Sequence, residues 1–184
     1  MAVTHFDIFE IPRSVDLEAG ALEKKFHALS LAFHPDRQPA NDASARRIAA
    51  DKTASLNEAY RVLKDPARRA FYLLKLLGVD LEREDSPLQK QLPLHFLEEV
   101  IEQREALDDA KKAKDLKRVS AMADQVRAAR ATALVAGTAA LRQAMGAEPD
   151  ASAVSTATKE MARLKYFDRF LEEVEAIEEQ VGTA

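Results

Sequence analysis

Apolar residues recur along most of this 184-residue chain with a helical period, and no stretch alternates apolar and polar positions as a half-buried strand would. Leu22, Phe26, Leu29 and Phe33 lie at i, i+4, i+7 and i+11, which predicts a helix over 17–33 with Asp16 as its N-cap. Ala49, Leu56, Ala59, Tyr60 and Leu63 repeat that stripe on a second helix, predicted over 43–64, and the two stripes face each other if the helices run antiparallel. Asp65 and Pro66 then open a third helix that closes at Gly78: proline suits a first turn, where its missing N–H has no intrahelical partner, and glycine suits a helix end. Phe6 and Phe9 precede the hairpin as an aromatic lead-in that can cover one of its ends.

From about Pro87 the periods lengthen. Helices are predicted over 94–112, 115–145 and 150–181. The second carries Leu116, Val119, Val126, Ala133, Leu134, Ala140 and Leu141, and the third carries Val154, Ala157, Met161, Leu164, Phe167, Leu171, Val174 and Val181. Three amphipathic helices with short connections form an antiparallel bundle, and the alanines of the middle one suit close approach of its neighbours. The fold class is therefore all-α, with an N-terminal helical hairpin flanked by short helices over 1–80 and a C-terminal antiparallel three-helix bundle over 81–184. No Gly/Ser spacer separates the halves, so they are expected to pack on each other.

Composition narrows the function classes. The chain has no cysteine, which removes disulfides, a thiol nucleophile and thiolate ligation of zinc or an iron–sulfur cluster, and suits a reducing compartment. Lys and Arg total 27 against 31 Asp and Glu, a net charge of −4 that lacks the basic field needed to neutralise nucleic-acid phosphates. The N-terminus shows no secretory pattern, and the most apolar window, 131–141, is far shorter than the ~20 residues of a membrane span. A soluble, cytoplasmic protein without nucleic-acid or membrane partners is expected. Four scattered histidines and no Gly-rich phosphate loop leave no catalytic constellation, so the chain reads as a non-enzyme with no cofactor and no metal site.

The first helix must stop near Phe33 or His34, because Pro35 disfavours helical geometry in the residue before it. His34, Pro35 and Asp36 then share a stiffened corner. On residues alone this is either an ordinary helix stop with solvated side chains or a docking point; as a metal site it offers only two ligands. Context adds to the tripeptide. It stands in "LAFHPDRQP" between two amphipathic helices, and the second reads into "LNEAYRVLKDPARRAFYL". This arrangement resembles a J domain, the module that stimulates ATP hydrolysis by chaperones of the DnaK/HscA class. No Gly/Phe-rich segment or Cys-rich module follows. Instead "FLEEVIEQREALDDAKKAKD" and "LKYFDRFLEEVEAIEEQ" resemble the C-terminal part of HscB-type co-chaperones of iron–sulfur cluster biogenesis, so that the likeness spans nearly the whole chain.

The resemblance implies an HscA/DnaK-class ATPase as one partner and an iron–sulfur cluster scaffold protein of the IscU type as the other. It places chaperone binding on His34, Pro35 and Asp36, with Lys24 and Lys25 on the preceding helix. Ser30, Leu31 and Ala32 stand where many relatives carry Lys or Arg, and by themselves the two lysines also read as a solvated face. A general J-domain protein serving a different client is the alternative. Scaffold binding falls on Leu97, Glu98, Ile101, Glu102, Arg104 and Glu105 of the first bundle helix and on Tyr166 of the third. Phe96, Val100 and Leu107 form that helix's inner stripe, with Leu97 and Ile101 about 100° around from it. By geometry alone Leu97, Ile101 and Tyr166 fit a core edge as well as an exposed patch.

Overall fold

The computed structural model describes residues 3–34, 42–81, 92–146 and 150–182, and every regular element among them is helical. These are α1 (His5–Ile8), α2 (Ala19–Phe33), α3 (Ala43–Lys64), α4 (Pro66–Leu76), α5 (Leu94–Lys112), α6 (Leu116–Ala144) and α7 (Ala151–Gly182). The chain divides into two compact units, Met1–Leu73 and Leu74–Ala184.

The first unit begins with a helix too short to show a period. Thr4 and Asp7 start it through a capping box: Thr4 Oγ1 accepts from the Asp7 N–H at 3.3 Å, and the Asp7 carboxylate accepts from the Thr4 N–H at 2.8 Å. Phe6 and Phe9 on this segment are fully buried. The start of α2 differs from the sequence expectation. The N-cap is Glu18 rather than Asp16, and the Glu18 carboxylate accepts from the Gly20 and Ala21 N–H groups. The longer Glu side chain folds back onto the first turn, a role that residue preferences assign to Asp, Asn or Ser. Asp16 instead donates its backbone N–H to Ser14 Oγ at 3.0 Å.

The α2–α3 pair is closed by Phe26 stacked on Tyr60 with centroids 4.1 Å apart, above buried Leu22, Leu56, Ala59 and Leu63. Phe26, Leu29 and Phe33 are only half-buried, so the α2 stripe is an edge of the core rather than its centre. Asp65 caps α4 by accepting from the Arg68 N–H at 2.8 Å. Arg69, one turn on, is buried, and its Nε and Nη1 donate to the carbonyls of Val15 (2.8 Å) and Leu63 (2.6 Å). It thereby fills an acceptor that the end of α3 leaves without an intrahelical partner. Helix α4 ends in a Schellman motif, with Gly78 at φ 90°, Val79 N–H on Leu74 O at 2.9 Å and Gly78 N–H on Lys75 O at 3.0 Å.

In the second unit α5 packs on both α6 and α7. Gly137 lies against Met161, while Arg130 of α6 pairs with Asp168 of α7, so α7 returns antiparallel to α6. Phe96 meets Phe167 and Arg104 meets Glu173, so α5 runs parallel to α7. An antiparallel three-helix bundle results. Small residues line its main seam: Ala123, Ala133, Gly137, Ala140 and Ala144 from α6 are buried, as are Ala153 and Ala157 from α7. A Cβ added at Gly137 would stand 3.0 Å from Met161 Sδ, which shows how closely these helices approach. Leu116, expected on the α6 stripe, is 39% exposed, because it occupies the first position of the helix beyond the packed seam.

Candidate functional site

The corner is approached from α2. His34 is the C-cap of this helix, with φ −59° and ψ 126°, the extended geometry a following proline imposes, and its side chain is exposed. Pro35 and Asp36 lie outside the described residues. The helix end just before His34 is anchored to α3: Thr53 Oγ1 lies 3.2 Å from Phe33 O, and the Lys52 ammonium sits 5.5 Å from the Phe33 ring centroid. Phe33, the last residue of α2, is thus tied to α3, and Thr53 and Lys52 carry no sequence signal for that role.

The two lysines of α2 differ. Lys25 Nζ donates to Phe9 O at 3.1 Å and to Glu10 O at 3.2 Å, bracing a turn in which Glu10 takes a positive φ of 50°. Lys24 is exposed on the same helix, one residue from the brace. Leu31, further along the same helix, is 60% exposed. Beside the helix end, Val3, Ile8, Phe33 and Ile48 line an open groove of about 770 Å³ edged by Asp51 and Glu58. Val3 and Ile48 lie off every stripe, so the sequence pattern does not reveal this groove.

The second candidate surface is built on Phe96, a buried ring at the base of α5. Tyr166 and Phe167 of α7 both meet it edge-on with centroids 5.8 Å away, and the Arg163 guanidinium lies 4.9 Å above its centroid. These contacts fix Tyr166 at the level of α5 where Leu97 sits, next in sequence to Phe96. Leu97 and Tyr166 are half-buried, whereas Ile101 is 57% exposed. Glu98, Glu102 and Glu105 are exposed on the outer flank of α5. Arg104 binds Glu173 of α7 at 2.7 Å, on the flank facing that helix. Glu173 and Arg163 were not foreseeable as partners, because the register between α5 and α7 is set by tertiary packing.

Comparison with known proteins gives these surfaces a context. Residues 4–72 match the DnaJ domain family model, and residues 92–175 match the model described as the HSCB C-terminal oligomerisation domain. The first unit is accordingly a J domain, a module whose partners are DnaK-class chaperones. A relative from Burkholderia multivorans, "Co-chaperone protein HscB homolog", is 32% identical over 180 residues, covering 98% of this chain and 97% of its own. The solved structure "Chaperone HscB from Vibrio cholerae" matches with a TM-score of 0.75 at 30% identity, covering 97% of this chain and 99% of its own. The human co-chaperone protein HscB shares the fold, with a TM-score of 0.77 at 22% identity over 94% of this chain and 80% of its own. The chain belongs to the HscB co-chaperone family. No helix among the described residues is long and apolar enough to cross a membrane.

Proposed function

We propose that this protein acts in the cytoplasm as a co-chaperone that performs no chemistry of its own. Residues 1–80 stimulate the ATPase of an HscA-type, DnaK-class chaperone, and residues 81–184 hold an iron–sulfur cluster scaffold protein of the IscU type and deliver it. One observation carries the reading: a J-domain helix ends on an exposed, extended His34, and the same chain carries a second unit with a partly exposed apolar face edged by carboxylates.

The division of labour follows from chemistry. A proline-stiffened corner loses little conformational freedom on docking. Asp36 supplies a carboxylate that an arginine of the ATPase can grip with paired hydrogen bonds, and His34 supplies ring donors and an acceptor for backbone groups. Lys24 adds attraction at the rim, while Lys25 contributes mainly by holding α1 in place. On the bundle, Leu97, Ile101 and Tyr166 give apolar contact, Glu98, Glu102 and Glu105 favour a basic partner, and Arg104, paired with Glu173, offers a polar contact at the α7 edge.

The test is ATPase stimulation of purified HscA-type and DnaK-type chaperones, with and without the scaffold protein. His34→Gln and Asp36→Asn should each abolish stimulation with no change in melting temperature; stimulation surviving both changes would overturn the corner's role. Synergy with scaffold on the HscA-type ATPase alone supports the reading, and synergy absent from both ATPases would favour a J-domain protein serving a different client.

A further inference from the structure

Leu94 is 72% exposed, more than any other large leucine surface among the described residues, and none of the roles assigned above uses it. It is the first residue of α5, after an N-cap, Pro93, that makes no side-chain capping bond. A leucine there neither satisfies the open N–H groups of the helix nor fills the core. A single exposed leucine would need no explanation. Its alignment does: Leu94, Leu97 and Ile101 fall at i, i+3 and i+7, on one face of the helix. With a rise of ~1.5 Å per residue they make an apolar ridge about 10 Å long.

The two flanks of this ridge are chemically different. Glu98, Glu102 and Glu105 lie on the outer side, while Tyr166 and the Arg104–Glu173 pair lie on the side of α7. Such a surface fits an apolar strip bordered on one edge by Lys or Arg. We propose that Leu94 is a fourth apolar anchor for the scaffold protein, the third on α5, carrying the docking ridge to the N-terminal end of that helix. The proposal rests on the scaffold-binding reading given above, with which the ridge is continuous. It makes the apolar contact longer along the helix axis than Leu97, Ile101 and Tyr166 alone provide.

The experiment is titration of the full-length protein with purified, cluster-free scaffold protein, comparing the parent with Leu94→Ala, Leu94→Lys and Ile101→Ala. Leucine and alanine have similar helix propensity and Leu94 is exposed, so Leu94→Ala should melt as the parent does, and Leu94→Lys, a cation at the positive end of the helix, should melt only slightly lower. Leu94→Ala should weaken binding about fivefold and Leu94→Lys at least about tenfold, because the lysine sets a like charge against the basic edge of the partner. If Ile101→Ala weakens binding while both Leu94 variants bind as the parent does, Leu94 lies off the interface and the inference is overturned. If all three bind as the parent does, the scaffold-binding reading itself fails, and the inference with it.

Discussion

The two units are both helical, but different chemistry holds them. The first ties α1, α2 and α3, of 4, 15 and 22 residues, and the start of α4 together with side chains that reach backbone groups. Arg69 binds the carbonyls of Val15 and Leu63, Lys25 those of Phe9 and Glu10, and the Tyr72 hydroxyl accepts from the His5 N–H at 3.0 Å. In the second unit α6 and α7 run 29 and 32 residues and close on a seam of small residues, with side chain meeting side chain in Arg130–Asp168 and Arg104–Glu173. The cause is the number of helix ends. Every end leaves up to four N–H or C=O groups without intrahelical partners, so a unit of short helices must supply polar side chains to satisfy them. A cation on a short-helix unit can therefore be a brace even where it resembles a binding patch, as Lys25 is.

The largest expected effect tests this contrast directly. Arg69→Met keeps the apolar stem and removes both carbonyl bonds, and should cost about 3 kcal/mol in denaturant unfolding. Arg130→Met, which breaks the partly exposed ion pair between α6 and α7, should cost about 1 kcal/mol or less. Equal losses would mean that both units depend on polar ties alike.

The next effect concerns the small-residue seam. Gly137→Val should cost about 2 kcal/mol, because its branched side chain overpacks against Met161 and Glu160. Gly137→Ala should be close to neutral: the single Cβ meets the flexible Met161 thioether, and alanine gains about 1 kcal/mol of helix propensity. A tolerated valine would show that the seam is looser than the contact at Gly137 implies.

The smallest effect is on pH. The His5 ring stacks on Tyr72 with centroids 4.2 Å apart, and burial holds its pKa below the ordinary 6.5 despite the opposing pull of Glu58. The unfolded chain therefore takes up a proton before the folded one does. This contribution to stability is present above pH 6.5 and is lost progressively as pH falls below that value through the folded pKa. His5→Gln should flatten this part of the stability profile, measured by denaturant unfolding at steps between pH 7 and 5; an unchanged profile would remove His5 as its source.

Local rules account for much of the architecture. The bounds of α3 and α5 agree with those read from the pattern, since a sustained period together with Asp42, Asp65–Pro66 and Pro93 marks their ends through backbone chemistry alone. The extended geometry at His34 follows from the next residue being proline. Helix α2 starts two residues later than the pattern predicts because Glu18, not Asp16, reaches the first open N–H groups, those of Gly20 and Ala21, and the bounds of α1, a short helix flanking the hairpin, carry no signal because four residues cannot display a period. At the bundle surface the sequence placed Leu97, Ile101 and Glu105 on one face, but their grading from half-buried to exposed depends on how far Tyr166 and Phe167 cover Phe96.

By itself, then, the sequence determined the helices, the corner that ends α2 and the face on which each α5 side chain lies, because these depend on φ/ψ preference and on a period of 3.6 residues. The tertiary structure alone decided that Lys25 braces Glu10 and Phe9, that Arg69 closes the end of α3 on Val15, and that Arg163 and Tyr166 enclose Phe96. Each of these joins residues far apart in the chain. Such pairs depend on the register and spacing at which packed helices settle, and those are set by the fit of all the side chains between them.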